Sequence, residues 1–166
     1  MFSIIKKSLS ILSISGVIFA STTAMAAQGH LNVDSKAEKI IAVVNENGER
    51  TYKRVPAAKV LPGEVVQYST FFTNISGKPA DNINITNPIP KHTVYLANTA
   101  SGANCNIVYS IDGGKQWAKP AQLKVRGSDG KMYPAPPSDY THIRWQYQGD
   151  LQPQERKAVS FQVRLL

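Results

Sequence analysis

Apolar residues recur at every second position over several short stretches of this chain, and that alternation decides its class. Across residues 65–74, Val66, Tyr68, Thr70 and Phe72 fall on one face and Gln67, Ser69 and Thr73 on the other, the spacing of a half-buried strand. Residues 82–86 repeat it with Ile83 and Ile85 inward, and residues 92–97 add a short strand with Val94 and Leu96 on one side. Cys105, Ile107, Tyr109 and Ile111 share one parity, as do Thr141, Ile143, Trp145 and Tyr147, and then Val159, Phe161, Val163 and Leu165. Breakers separate these runs: Pro62-Gly63-Glu64, Asn87-Pro88-Ile89-Pro90, Asp112-Gly113-Gly114 and residues 149–154. Upstream, two β-branched runs at 39–44 and 51–55 flank Asn47-Gly48. Both of those residues tolerate the positive φ of a type I′ turn, so a hairpin is expected there.

Beyond the first 26 residues no stretch sustains a 3.6-residue apolar period. Seven to nine short strands, spaced roughly eight to twelve residues apart, predict an all-β, immunoglobulin-like antiparallel β-sandwich. A small closed barrel is the competing architecture. Residues 27–36 are polar and patternless and read as a flexible N-terminal arm, which puts the folded domain at 37–166. The stretch 120–137 is the least regular, with a short strand at 123–126, an Asp129-Gly130 turn and the stiff Pro134-Ala135-Pro136-Pro137 run. Trp117 is expected to lid one end of the core, and Asp139-Tyr140 sits where a tyrosine corner would.

The chain opens with Lys6 and Lys7, an apolar run over residues 9–20 and the small-x-small triplet Ala24-Met25-Ala26, the pattern of a secretory signal peptide spanning 1–26. The apolar run is well short of the roughly 20 residues a membrane span needs, so no transmembrane segment is expected in the mature chain. Export to the periplasm or beyond follows, and with no sorting motif or apolar anchor before Leu166 a free periplasmic or released protein is expected. Past Ala26 stand 17 basic and 11 acidic residues, a net charge of +6. Outside the cytoplasm such a balance favours an envelope protein, phospholipid or an anionic polysaccharide over nucleic acid as partner, although scattered cations serve solubility equally well. The lone Cys105 can form no internal disulfide, and its parity reads as a buried, inert thiol.

Candidate chemistry is thin. Ser110-x-Asp112-x-Gly114-x-x-Trp117 matches the Asp-box of propeller proteins, but a single copy predicts only a turn whose Asp binds nearby backbone N–H groups. His30, His92 and His142 lack metal-ligand spacing, and Glu64, Asp81, Asp112, Asp139 and Asp150 all fall at predicted turns. No nucleophile elbow, P-loop or dinucleotide fingerprint occurs. Asn74-Ile75-Ser76 and Asn84-Ile85-Thr86 match the N-glycosylation pattern and read as ordinary strand and turn residues. No enzyme, cofactor or metal is expected.

The run PGEVVQY, then Asn74 and Gly77 in TNISGKPA, then DNINITNPIP leading into TVYL, resembles the bacterial conserved-repeat module known as domain of unknown function 11. SIDGGKQW, DYTHIRW and VSFQVRL are similar to its closing strands. The resemblance implies an immunoglobulin-like sandwich of exported or surface-attached proteins with a structural or adhesive role. That module often occurs in tandem, whereas this chain shows one copy.

Function is therefore expected from a non-enzymatic module acting through protein or surface contacts in the bacterial envelope. The alternative is a carbohydrate or wall-polymer binding module using the basic, aromatic segment 115–133. Its candidate binding surface comprises Lys115, Trp117, Lys119, Lys124, Arg126, Lys131 and Tyr133, with Tyr95 near the same loops.

Overall fold

The computed structural model describes residues 31–166. Eleven strands run through them: β1 Leu31–Val44, β2 Arg50–Pro56, β3 Val65–Asn74, β4 Asn84–Pro88, β5 Thr93–Tyr95, β6 Ser101–Gly102, β7 Cys105–Ser110, β8 Lys124–Arg126, β9 Met132–Pro134, β10 His142–Tyr147 and β11 Arg156–Leu165. The larger sheet has the order β2-β1-β3-β11-β5, with β6 also on β11; the smaller is β4-β10-β7. These nine strands form an antiparallel β-sandwich, and β8–β9 is a separate hairpin. The expected all-β class is thus present, as two open sheets. The architecture is immunoglobulin-like, with a strand order of its own: β11 lies beside β3, in the sheet opposite β10, whereas the last two strands of an immunoglobulin domain are neighbours. The chain crosses between sheets at Leu151, which is fully buried and bridges Ala80.

The core forms where the alternating faces meet. Val66 and Phe72 of β3, with Val159, Phe161 and Val163 of β11, oppose Ile85 of β4 and Ile143, Trp145 and Tyr147 of β10. Trp145 lies 5.9 Å from Phe161, and Phe72 meets Tyr147 edge-on at 6.0 Å, centroid to centroid. Burial of each such side chain contributes about 1.5–3 kcal/mol, which is what holds two sheets together without a disulfide.

Four local expectations are corrected. Residues 31–36, read as part of a flexible arm, belong to β1 and pair with β3 from Leu31↔Asn74 onward. Leu31 and Val33 alternate with polar residues and pack on the core, a two-position signal too short to stand out beside Asp34, Ser35 and Lys36. The rest of that arm and the signal segment 1–26 lie outside the described residues. The β1–β2 hairpin exists, but its turn is not type I′: Gly48 alone takes positive φ, at 79°. Asn45 organises the loop instead, its Oδ1 accepting the N–H groups of Asn47 and Glu49 at 3.0 and 2.9 Å.

In β5 it is Tyr95 that faces inward, 3% exposed, with Val94 and Leu96 on the other side. Tyr95 is therefore no loop aromatic. It joins Tyr109 and Tyr140 in a cluster with ring centroids 5.1–5.9 Å apart, its hydroxyl 3.2 Å from that of Tyr109. This trio is buried in the core, whereas the expected lid, Trp117, packs outside it against the solvent-facing residues of β10.

Candidate functional site

The Asp-box motif folds as a braced turn. Asp112 Oδ1 accepts the N–H groups of Lys115 and Gln116, each at 3.0 Å, and the Ser110 hydroxyl at 2.7 Å. Ser110 Oγ accepts the Gly114 N–H at 2.9 Å, and both Gly113 and Gly114 take positive φ. The Gln116 N–H, then the Ser110 hydroxyl, hold the Asp112 carboxyl below its ordinary pKa. Trp117 then lies on the outer face of the smaller sheet, its ring 3.9 Å beneath the Arg144 guanidinium and edge-on to His142. Burial, reinforced by the Arg144 charge, pushes the His142 imidazole below its ordinary pKa.

Further along, segment 115–133 divides into separate places. The Lys119 ammonium caps the Ile107 carbonyl at 2.7 Å, next to the Tyr109–Ala118 bridge, so both close the free edge of β7. Arg126 donates to the Gly130 carbonyl at 3.0 Å, Tyr133 donates to Asp129 at 2.7 Å, and Lys131 stands 3.9 Å from the same carboxylate. The Tyr133 hydroxyl is the chief cause of a lowered Asp129 pKa. Lys115 and Lys124 are exposed, and among the described residues their ammonium groups have no ion-pair or hydrogen-bond partner. The β8–β9 hairpin is not loose: Leu123 and Ala135, at either side of it, are buried in the core and joined by an N–H to carbonyl bond of 2.9 Å.

Other polar residues singled out by sequence are likewise engaged by hydrogen bonds or ion pairs. Asn74 is fully buried, donating to the Lys78 and Leu151 carbonyls at 2.7 and 2.8 Å and accepting from the Ser76 N–H and hydroxyl. Glu64 accepts the Leu61 N–H at 2.7 Å and pairs with Lys39, which lowers its pKa, the backbone bond first. Cys105 is half-buried, and burial raises its thiol pKa. Among the described residues no group of three His, Cys, Asp or Glu side chains is placed to hold a metal.

No family model, curated protein or solved structure matches this chain.

A second surface, which sequence reasoning missed, lies on the opposite sheet. An open groove of about 680 Å³ is lined by Lys36 and Glu38 of β1, Tyr52, Lys53 and Arg54 of β2, and Ser69 and Phe71 of β3. Tyr52 and Phe71 reach one groove although β1 separates their strands, because the registers of β1 with β2 and with β3 put both on one face of the sheet. Lys36 and Glu38 pair at 2.7 Å, and Arg54, on the same face, has no ion-pair partner among the described residues. Arg156 stacks on Phe71 at 4.5 Å. The hydrophobic pattern could not reveal this groove, since β2 alternates weakly and the residues of β1 and β3 that line the groove with it are 14 or more residues away.

Proposed function

We propose that this chain is a non-enzymatic, exported β-sandwich module with a structural or adhesive role in the bacterial envelope, acting through protein or surface contacts. The observation that carries this reading is how its polar groups are spent. Asp112, Asn74, Glu64 and Asp129 brace turns or strand ends, while the β1–β2 ribbon turns to solvent Val44, Tyr52 and the cations Arg50, Lys53 and Arg54, which have no ion-pair partner among the described residues, with Val44 70% and Tyr52 69% exposed. Exposed apolar residues beside unbalanced charge are the composition of a contact surface. The motifs shared with the bacterial conserved-repeat module point the same way. No helix among the described residues is long and apolar enough to cross a membrane.

Sedimentation of the purified domain with isolated envelopes tests the proposal. Retention at low salt that falls as salt rises is expected, because screening weakens exposed charge contacts; no retention at low salt removes the reading. Export is tested separately by fusing residues 1–40 to a reporter active only outside the cytoplasm. The polymer-binding alternative draws its support from Lys115, Lys124 and the 46% exposed Tyr133. If exchanging Lys115, Lys119, Lys124 and Arg126 for Ser leaves retention unchanged, that segment is not the contact.

A further inference from the structure

β2 ends the larger sheet, and its backbone alternation can be worked out. The Asn45 N–H donates to the Glu49 carbonyl at 2.9 Å, and the Ala57 N–H donates to the Ala37 carbonyl at 3.2 Å, so the hydrogen-bonded pairs of the ribbon lie in step with these. Thr51, Lys53 and Val55 therefore bond to β1. The N–H and C=O groups of Tyr52 and Arg54 face away from it, and Pro56 closes the row, having no N–H. Among the described residues, β2 pairs only with β1. The free edge of β7, by contrast, is closed by Ala118 and Lys119, and the far edge of β11 by β5 and β6.

We infer that the free edge of β2 is a docking site for an extended acidic peptide segment of a partner protein, which adds a strand to the sheet on the side of β2 away from β1. The mode is β-strand addition, in which main-chain bonds supply attachment and alternate side chains supply selectivity. Two bonds to Tyr52 and two to Arg54 would fix the incoming strand. Its alternate side chains would then meet Arg50 and Arg54 on one side and Lys53 on the other. Among the described residues none of these three cations has an ion-pair partner, so carboxylates complement the edge. Charge also argues against a second copy of this chain: antiparallel pairing of β2 with itself sets Arg50 against Arg54 and Lys53 close to Lys53, and like charges directly opposed are destabilising. Residues 1–30 contain no acidic residue and are equally unsuited. An anionic polysaccharide would satisfy the cations but would leave the row of N–H and C=O groups unpaired in register.

This inference refines the contact reading above, and its test is kept separate. The probe is a fluorescein-labelled ten-residue peptide alternating Glu with Val and Thr, with Lys replacing Glu in the control. Binding is followed by anisotropy, and amide hydrogen exchange is followed residue by residue. Saturable binding of the Glu peptide is expected, with the Tyr52 and Arg54 amides, fast-exchanging in the free protein, becoming protected. Arg54→Pro deletes one outward N–H without removing a bond to β1, and the double variant R50E/R54E inverts the charge. Each should weaken binding by about tenfold or more, with thermal unfolding confirming the fold of each. Equal binding of the Lys peptide, or binding without protection of these two amides, overturns the proposal. So does polygalacturonate that displaces the peptide from wild type and binds Arg54→Pro undiminished, which would assign the edge to a polymer. Envelope retention of wild type, run in parallel, bears on the contact reading alone.

Discussion

At the scale of single residues, the polar side chains that matter most are those that satisfy backbone groups. Asn74 is the clearest case, since it serves two carbonyls and two donors with no exposed surface. Asn74→Ala leaves the Leu151 and Lys78 carbonyls without that donor and is expected to cost about 2–4 kcal/mol, read as a drop in the urea midpoint; a change within error would mean that the loop re-forms around the gap. Acid sensitivity follows from carboxylates in turns and beside strand ends. Asp112, Glu64, Asp129 and Glu155 all have pKa values lowered in the folded state, by hydrogen bonds above all. The unfolded chain therefore binds more protons as pH falls, so this stabilisation is intact above the ordinary values of 3.8 for Asp and 4.5 for Glu and is lost as pH drops through the lower folded values. His142 acts in the same sense from higher pH, its pKa lying below the ordinary 6.5. The midpoint of urea unfolding should stay nearly level from pH 8 to about 6.5 and fall progressively toward about pH 3, with Asp112→Asn showing a shallower acid limb; equal acid limbs in the two proteins would refute the assignment.

At the scale of elements, close packing around the two-residue β6 decides how the larger sheet is completed. A Cβ added at Gly102 would stand 2.8 Å from Val159 Cγ1 and 3.0 Å from Trp145 Cδ1. Those atoms belong to the fully buried wall of the core, so Gly102→Ala must push β6 off β11 or displace Trp145. Overpacking of this kind costs about 1–3 kcal/mol, and differential scanning calorimetry should show the loss; an unchanged melting temperature would mean that β6 is not held against β11 in solution. β7 and β10 illustrate a different lesson. They pair along their length although 31 residues separate Ser110 from His142's neighbour Thr141, joined there by the Thr141 N–H to Ser110 carbonyl bond of 2.8 Å. The excursion between them is anchored by Leu123, Ala135 and Tyr140, which is why a stretch that reads as irregular is built into the core.

At the scale of the whole molecule, two tryptophans report on two environments. Trp145 is fully buried between the sheets, its Nε1 without an acceptor among the described residues, whereas Trp117 lies under Arg144 on the outer face. The variant Trp117→Phe should emit at short wavelength and resist acrylamide until it unfolds in one cooperative step. Conversely, Trp145→Phe should emit at longer wavelength, quench readily and lose about 1–3 kcal/mol of stability, the lower part of the range for large-to-small core changes. Easy quenching of Trp145 in the folded protein would refute the packing of the two sheets.

Side-chain polarity alone marks which residues face inward along β3, β4, β10 and β11, because a strand repeats every two residues and half-burial writes that period into the chain. The sequence also marks the Asp-box turn, whose partners lie within a few residues of one another. Only the tertiary structure decided which strands are neighbours, that β11 joins β3 rather than β10, that Tyr95 points into a tyrosine cluster, and that residues 31–36 extend β1. It likewise scattered segment 115–133 among turn, strand edge and hairpin, and brought Tyr52 and Phe71 into one groove. Those outcomes depend on contacts between residues far apart in the chain, and short-range polarity carries no record of them.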